Sequence, residues 1–211
     1  MLLGKLETML HELYALDVGY AVNDFLITDE AMARSLDAGG RSVDEKLLIA
    51  EGDGEADVAL YLDRELLARL DRHDPLTHLD ADNLADFWAA LEGVSHFTYY
   101  AWNAARDKNV SLFELELQAE VDKFVTTARL LREQTGRDPA GLHGWLFDSP
   151  TLANDLDAKE RARYRRANRY AARYCQRLTA DLASDEAACH RELRHFYRLS
   201  QVRKLAHIGA D

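Results

Sequence analysis

Three side chains in the middle of the sequence, Glu92, His96 and Glu120, are the strongest candidates for chemistry. A carboxylate beside an imidazole forms an acid–base pair, and two carboxylates with one imidazole can hold a divalent metal ion. The alternative is a core histidine whose hydrogen bonds are satisfied by these carboxylates. Di-metal sites in helical bundles repeat a Glu-x-x-His spacing on two helices, whereas here the spacing is i, i+4 and occurs once. The sequence therefore predicts no metal ion and no other cofactor.

These three side chains are predicted to meet between the two helices of a hairpin. The first helix covers residues 83–106 and is apolar on nearly all sides, which is typical of a central helix. After a short turn, Ser111 and Glu114 have the spacing of a capping box that begins the second helix. Folding the helices antiparallel places His96 opposite Glu120. Buried polar groups there need partners, so a contact cluster is expected.

A second candidate site lies in the C-terminal part, where arginines recur at every fourth position of a predicted helix over 157–182. The residues of this stripe are Arg161, Arg165, Arg169, Arg173 and Arg177. Arginines at this density can neutralise phosphates of a nucleic acid, or pair with acidic groups of a protein partner. We predict an exposed binding surface, with Tyr174 and Leu178 buried beneath it.

The last helix is predicted to begin at Ser184 and to reach about His207, forming a second hairpin with the arginine-rich helix. Its apolar stripe consists of Cys189, Leu193, Phe196, Val202 and Leu205. Ser200 and the pair Arg203-Lys204 interrupt this stripe, so the helix is expected to be half-buried. Such a helix gains from a partner, and we expect a homodimer rather than a monomer, with residues 157–207 at the interface.

The N-terminal part contains the strongest β-sheet signal. Residues 46–51 and 57–62 are β-compatible runs on either side of Asp53-Gly54, which favours a hairpin turn. Residues 22–28 are a candidate third strand, followed by a short helix over 31–36. The predicted fold class is α+β and predominantly α-helical, with a small N-terminal antiparallel sheet packed on a bundle of long antiparallel helices.

The whole chain, 1–211, is predicted to form a single domain because it contains no stretch with the composition of a linker. Its parts are an α/β region (1–80), a helical hairpin (81–136), an irregular connection (137–156) and a basic helical hairpin (157–211). In the connection, Trp145, Leu146 and Phe147 are predicted to attach the chain to the core.

Composition and motifs exclude several classes of protein. The 47% hydrophobic and 30% charged residues are ordinary for a globular domain, which excludes a disordered chain. Phosphate-binding loops, the dinucleotide fingerprint, the nucleophile elbow and the common zinc motifs are missing from the sequence. No apolar run is long enough for a membrane span, and two cysteines outside a CxxC pair favour a reducing compartment. We predict a soluble, cytoplasmic protein.

By elimination, the sequence predicts a non-enzymatic interaction or regulatory protein that presents an acidic body and an arginine-rich helix to protein partners. The net charge is −11, of which residues 1–110 carry −13 and residues 157–211 carry +6. One alternative is a nucleic-acid-associated protein that binds through Arg161 to Arg177. The other is a small enzyme or metalloprotein that uses Glu92, His96 and Glu120.

Overall fold

The fold is taken from a computed structural model that describes residues 1–37, 43–52, 55–148 and 156–209. The helices in these ranges are α1 (Leu2–Tyr14), α2 (Glu30–Leu36), α3 (Arg64–Arg72), α4 (Leu84–Ala104), α5 (Leu112–Thr135), α6 (Leu142–Phe147), α7 (Ala158–Ser184), α8 (Glu186–Arg198) and α9 (Gln201–Ile208). The strands are β1 (Leu26–Ile27), β2 (Glu45–Gly52) and β3 (Glu55–Leu62). The predicted α+β, predominantly helical class is confirmed.

The sheet has the strand order β1-β3-β2. β2 and β3 form the predicted antiparallel hairpin, with a register that runs from Glu45↔Leu62 to Gly52↔Glu55. The predicted turn residues Asp53-Gly54 lie outside the described residues. β1 pairs with β3 in parallel, so the sheet as a whole is mixed.

The predicted strand over 22–28 is reduced to the two residues of β1. The residues before β1, Val22–Phe25, form a 3₁₀ turn. The reason is a side-chain acceptor: the backbone N–H of Val22 donates to Oε1 of Glu7 on α1 at 2.9 Å. Because this N–H bonds a carboxylate instead of a neighbouring strand, the ladder begins only after the turn.

The central helical hairpin has the predicted boundaries. Ser111 and Glu114 form the reciprocal capping box, and Gly136 ends α5 in the left-handed conformation with φ of 69°. Contacts between α4 and α5 run in opposite senses along the two helices, as in an antiparallel pair. Nε1 of Trp88 donates to Thr127, and about two turns further along α4, Ser95 donates to Asp122.

The predicted last helix is wrong as a single element, because the chain breaks it at Leu199 and Ser200 into α8 and α9. The N-cap of α8 is Asp185 rather than Ser184, and its carboxylate accepts from the backbone N–H of Ala188 at 2.9 Å. The break changes which side chains face the core. Val202 of the predicted apolar stripe is 76% exposed, whereas Lys204, predicted to interrupt the stripe, is fully buried.

The predicted irregular connection contains the short helix α6, and residues 149–155 within it lie outside the described residues. Leu146 and Phe147 are buried as predicted, but Trp145 is 63% exposed and does not attach the chain to the core. α7 packs on α5 and buries Tyr174 and Leu178. In the described part of the chain, no helix is long and apolar enough to cross a bilayer.

Candidate functional site

The predicted residues Glu92, His96 and Glu120 lie in a charged region where β2, α4, α5 and α7 meet. We call this region the charged cluster; its members are Glu45, Glu92, His96, Glu116, Glu120, Lys123 and Arg163. Glu92 and His96 are close together, whereas Glu120 is joined to Glu92 through the ammonium group of Lys123. The carboxylate of α5 that contacts His96 is Glu116, one turn before Glu120.

His96 lies between two carboxylates and leaves one ring nitrogen without a partner. Its Nδ1 is 3.3 Å from Oε1 of Glu45, and its Nε2 is 4.0 Å from Oε2 of Glu116. The second distance is too long for a hydrogen bond. Since the residue is only 6% exposed, Nε2 is a buried polar atom with no hydrogen-bond partner among the described residues. Such an atom is costly and calls for an explanation.

Gly93 makes room for Glu45 beside His96. A Cβ atom at this position would lie 2.9 Å from Cγ of Glu45 and 2.9 Å from Cδ1 of Leu60. A glycine inside a helix costs about 1 kcal/mol relative to alanine, so its presence in the middle of α4 needs a packing reason. The reason here is the close approach of β2 to α4, which places a strand carboxylate against a helix imidazole.

Lys123 and a residue of α7 contact the carboxylates of Glu92 and Glu120. The Lys123 ammonium group pairs with Glu92 and, at 3.0 Å, with Oε1 of Glu120. Nδ2 of Asn168 donates to the other oxygen of Glu120 at 3.3 Å. These contacts orient both carboxylates, and each keeps its side chain partly open to solvent, at 19% for Glu92 and 18% for Glu120.

The charges in this region shift the proton affinities of its members. Burial acts to lower the pKa of His96, but the carboxylates of Glu45, Glu116 and Glu92 outweigh it and raise the pKa to about 9. Burial raises the pKa of Glu116 to about 7, although His96 and Arg163 act in the opposite direction. For Glu92, burial again acts to raise the pKa, yet Lys123 and His96 lower it. The cluster therefore contains a carboxyl group that can gain or lose a proton near neutral pH.

Three members of the charged cluster have the arrangement of metal ligands. Glu45, Glu92 and His96 each offer one ligand atom, and these atoms all lie within 4.8 Å of one another. Around a tetrahedral zinc ion, an imidazole nitrogen and a carboxylate oxygen are about 3.4 Å apart. In the metal-free structure, Nδ1 of His96 and Oε1 of Glu45 are in direct hydrogen-bond contact at 3.3 Å. Imidazole with carboxylates suits Zn²⁺, Mn²⁺ or Fe²⁺.

A second polar region, on another face of α5, is fully closed. We call it the buried network; its members are Tyr14, Ser95, Gln118, Asp122 and Lys204. The Asp122 carboxylate accepts from Tyr14, from Ser95 at 2.5 Å and from Gln118 at 2.9 Å. Gln118 accepts in turn from Nζ of Lys204 at 2.6 Å. Each polar side-chain group has a partner, which is the pattern of a structural network.

Sequence reasoning missed the buried network and more than half of the charged cluster. Glu45 comes from a strand 51 positions before His96. Lys204 was assigned to the surface because it is charged, although it lies 4.4 Å from the ring centroid of Tyr99. The one feature of the sequence that pointed to the approach of β2 was Gly93. A glycine inside a strongly predicted helix indicates that another element packs closely against it.

The arginine stripe faces outward along α7 for most of its length. Arg165, Arg169 and Arg173 are exposed, whereas Arg161 and Arg177 are half-buried. Nη2 of Arg177 donates to the backbone carbonyl of His207 at 3.0 Å, which ties this end of the stripe to α9. The exposed positions leave guanidinium groups available to a partner.

An open groove of about 820 Å³ lies apart from both polar regions. Its walls are formed by aromatic and small side chains of the 3₁₀ turn, the hairpin and the end of α4, including Tyr20, Phe25, Phe97, Tyr100 and Ala104. None of the lining residues belongs to the charged cluster; the charged residues of the lining are Asp107 and Lys108, which follow α4. This groove is therefore separate from the charged cluster.

The charged cluster combines a ligand set for one metal ion, an ammonium group that orients two carboxylates, and a carboxyl group that titrates near neutrality. A metal-assisted acid–base site requires groups of these types. No protein-family model, no curated protein and no solved structure matches this chain.

Proposed function

We propose that this protein is a metal-dependent enzyme whose centre is formed by Glu45, Glu92 and His96. The observation that carries the proposal is the convergence of two carboxylates and one imidazole, from a strand and a helix, to within 4.8 Å. This site is largely shielded from solvent, and there a metal ion would compensate carboxylates that are costly to bury.

The other members of the charged cluster have supporting roles in this proposal. Lys123 fixes the orientation of Glu92 through one oxygen and leaves the second oxygen for the metal ion. Glu116 faces Nε2 of His96, the position at which a metal-ligating histidine commonly donates its other N–H to a carboxylate. A bound ion would act as a Lewis acid and lower the pKa of a coordinated water. Glu116, with its pKa of about 7, would then exchange protons with the reacting groups.

Equilibrium dialysis of the metal-stripped protein against Zn²⁺, Mn²⁺ and Ca²⁺ tests the proposal. We expect one Zn²⁺ or Mn²⁺ ion per chain and much weaker binding of Ca²⁺, which prefers six to eight oxygen ligands. His96→Gln and Glu45→Gln should each weaken Zn²⁺ binding by about 10-fold or more. Glu133→Gln on the exposed face of α5 is the matched control and should bind as the wild type does.

Two results would refute the metal centre. One is a wild-type protein that binds no transition-metal ion at micromolar concentration. The other is a folded His96→Gln protein, verified by circular dichroism, whose Zn²⁺ affinity equals that of the Glu133→Gln control. Either result would return the charged cluster to the status of a structural ion-pair network.

A second candidate function is an interaction or regulatory role through the arginine stripe, in the cytoplasm that two buried free cysteines favour. The observation that favours it is the exposure of Arg165, Arg169 and Arg173 on a protein with a net charge of −11. An acidic protein surface, including that of a second copy, is the expected partner, and nucleic acid is the alternative. Binding of DNA that falls steeply with salt and is lost in Arg165→Glu/Arg169→Glu would favour nucleic acid. Light scattering that reports a 23.9 kDa monomer at low salt would exclude the homodimer.

A further inference from the structure

The strand β3 has an open edge beside the groove. Among the described residues, β1 pairs with Leu60 and Tyr61 alone, so residues 55–58 have β2 on one side and no described strand on the other. The chain that precedes β1 does not continue the ladder, because it forms the 3₁₀ turn Val22–Phe25. Backbone N–H and C=O groups along an unpaired strand edge can pair with another strand that lies alongside.

The open edge of β3 contributes one side of the groove. Ala56 and Val58 line the groove and Asp57 between them does not, which is the alternation expected along a strand. Tyr20 and Phe25 line it as well, together with the C-terminal half of α4. A strand added to this edge would therefore direct every second side chain into an aromatic and apolar groove. The side chains in between would lie on the other face of the sheet, beside Asp57.

The charges at this edge favour a basic occupant. Asp57 is exposed on β3, and the exposed Asp107 lines the groove. The nearest cations are directed elsewhere: the guanidinium group of Arg106 and Nζ of Lys108 lie over the ring of Trp102, at 4.3 and 5.2 Å from its centroid. Opposite charges on neighbouring strands stabilise their pairing, and like charges oppose it. A lysine or arginine beside Asp57 is therefore favoured, whereas the same acidic edge of a second copy is not.

We infer that the groove binds an extended segment of a partner protein, which adds to the sheet as a strand beside β3 and alternates apolar with basic side chains. Main-chain hydrogen bonds supply affinity in this mode of recognition, and pockets for alternate side chains supply specificity. A small apolar molecule would fill the groove but leave the strand edge unpaired. The inference does not rest on the proposed metal centre, because the groove is separate from the charged cluster.

Fluorescence anisotropy with labelled synthetic peptides, on the full chain, tests this inference. The probe is a seven-residue peptide in which phenylalanine and valine alternate with lysine. Replacing its lysines with glutamate should weaken binding by about 10-fold or more at low salt. N-methylation of every second residue blocks the N–H groups on one side of the peptide. One of its two phases should weaken binding by about 10-fold or more, and the other should have little effect, because only one side of the peptide faces β3.

Three variants locate the bound peptide. Ala104→Trp places a large side chain in the groove from an exposed position at the end of α4, and should weaken binding by about 10-fold or more. Asp57→Lys should weaken it by about 5-fold at low salt. Asp71→Lys makes the same charge change at an exposed position of α3 and is the matched control. Removal of metal ions with a chelator should leave every affinity unchanged.

The results that would overturn the inference concern the groove alone. One is a wild-type protein that does not bind the lysine peptide at about 100 μM. Another is an equal effect of the two N-methylation phases, which would mean that the peptide does not pair with a strand edge. A third is folded Ala104→Trp, verified by circular dichroism, that binds the peptide as the wild type does. A failure of Zn²⁺ binding would refute the metal centre and leave this inference standing.

Discussion

Two polar regions share the helices α4 and α5 and differ in one respect. In the buried network, the Asp122 carboxylate accepts three hydrogen bonds and Gln118 passes the chain of bonds to Lys204. In the charged cluster, Nε2 of His96 and Nε of Arg163 are buried and have no hydrogen-bond partner among the described residues. A network whose groups are all paired specifies a structure, whereas buried polar atoms without partners carry a desolvation cost that needs an explanation.

The two regions are also mechanically connected. Ser95 belongs to the buried network and the next residue, His96, to the charged cluster; on α5 the same holds for Asp122 and Lys123. The hydrogen bond from Ser95 to Asp122 constrains the rotation of both helices about their axes. The buried network therefore sets the directions in which the side chains of the charged cluster point, which is how a fold preorganises a site.

The largest difference between the two regions is expected in the free energy of unfolding, when one residue of α5 is substituted in each region. Asp122→Ala removes an acceptor from three buried donors and should lower the free energy of unfolding by about 3–5 kcal/mol. Glu116→Gln should change it by no more than about 1 kcal/mol, because burial already disfavours the charged form of Glu116. Urea denaturation at pH 7.5 without metal ions measures both. Equal losses would erase the distinction between a structural and a functional cluster.

A smaller effect on stability, with a larger one on metal binding, is expected at Gly93. Gly93→Ala forces Glu45 and Leu60 to shift and should destabilise the fold by about 1–2 kcal/mol after the gain in helix propensity. It should also weaken Zn²⁺ binding by about 10-fold by displacing Glu45. Gly52→Ala on β2, the strand that carries Glu45, is the control, since no atom lies within 4 Å of its added Cβ. Unchanged Zn²⁺ affinity in folded Gly93→Ala would mean that Glu45 is not a ligand.

The pH dependence of stability should have opposite signs in the two regions of the metal-free protein. Burial lowers the pKa of Lys204 to about 7, although Glu114 and Asp122 oppose this shift. The contribution of Lys204 to the free energy of unfolding therefore increases as the pH rises from about 7 toward 10.5. The carboxylates near His96 raise its pKa to about 9 against the effect of burial, so its stabilising contribution is complete below about 6.5 and lost toward 9. The free energies of unfolding of His96→Gln and Lys204→Met should therefore be measured against pH and compared with that of the wild type. With rising pH, the two differences from the wild type should change in opposite directions, each by at most about 1.4 kcal/mol per pH unit. Parallel profiles between pH 7 and 9 would contradict these assignments.

The sequence predicts local structure well and side-chain convergence poorly. Ser111 with Glu114, and Gly136, mark the ends of α5 because capping depends on neighbours in the sequence. Helical periodicity likewise brings Glu92 to His96. Glu45 could not be found this way, because the register of a strand against a helix depends on tertiary packing. Lys204 was misjudged because a break in the helix, at residues 199–200, rotated the following turn.

A crystal structure grown with Zn²⁺, with anomalous data collected at the zinc absorption edge, tests the central claim most directly. We predict one peak at about 2.0–2.2 Å from a ring nitrogen of His96 and from carboxylate oxygens of Glu45 and Glu92. The buried network should contain no peak. A structure without a peak in the charged cluster, in which His96 and Glu45 keep their direct contact of 3.3 Å, would contradict the account.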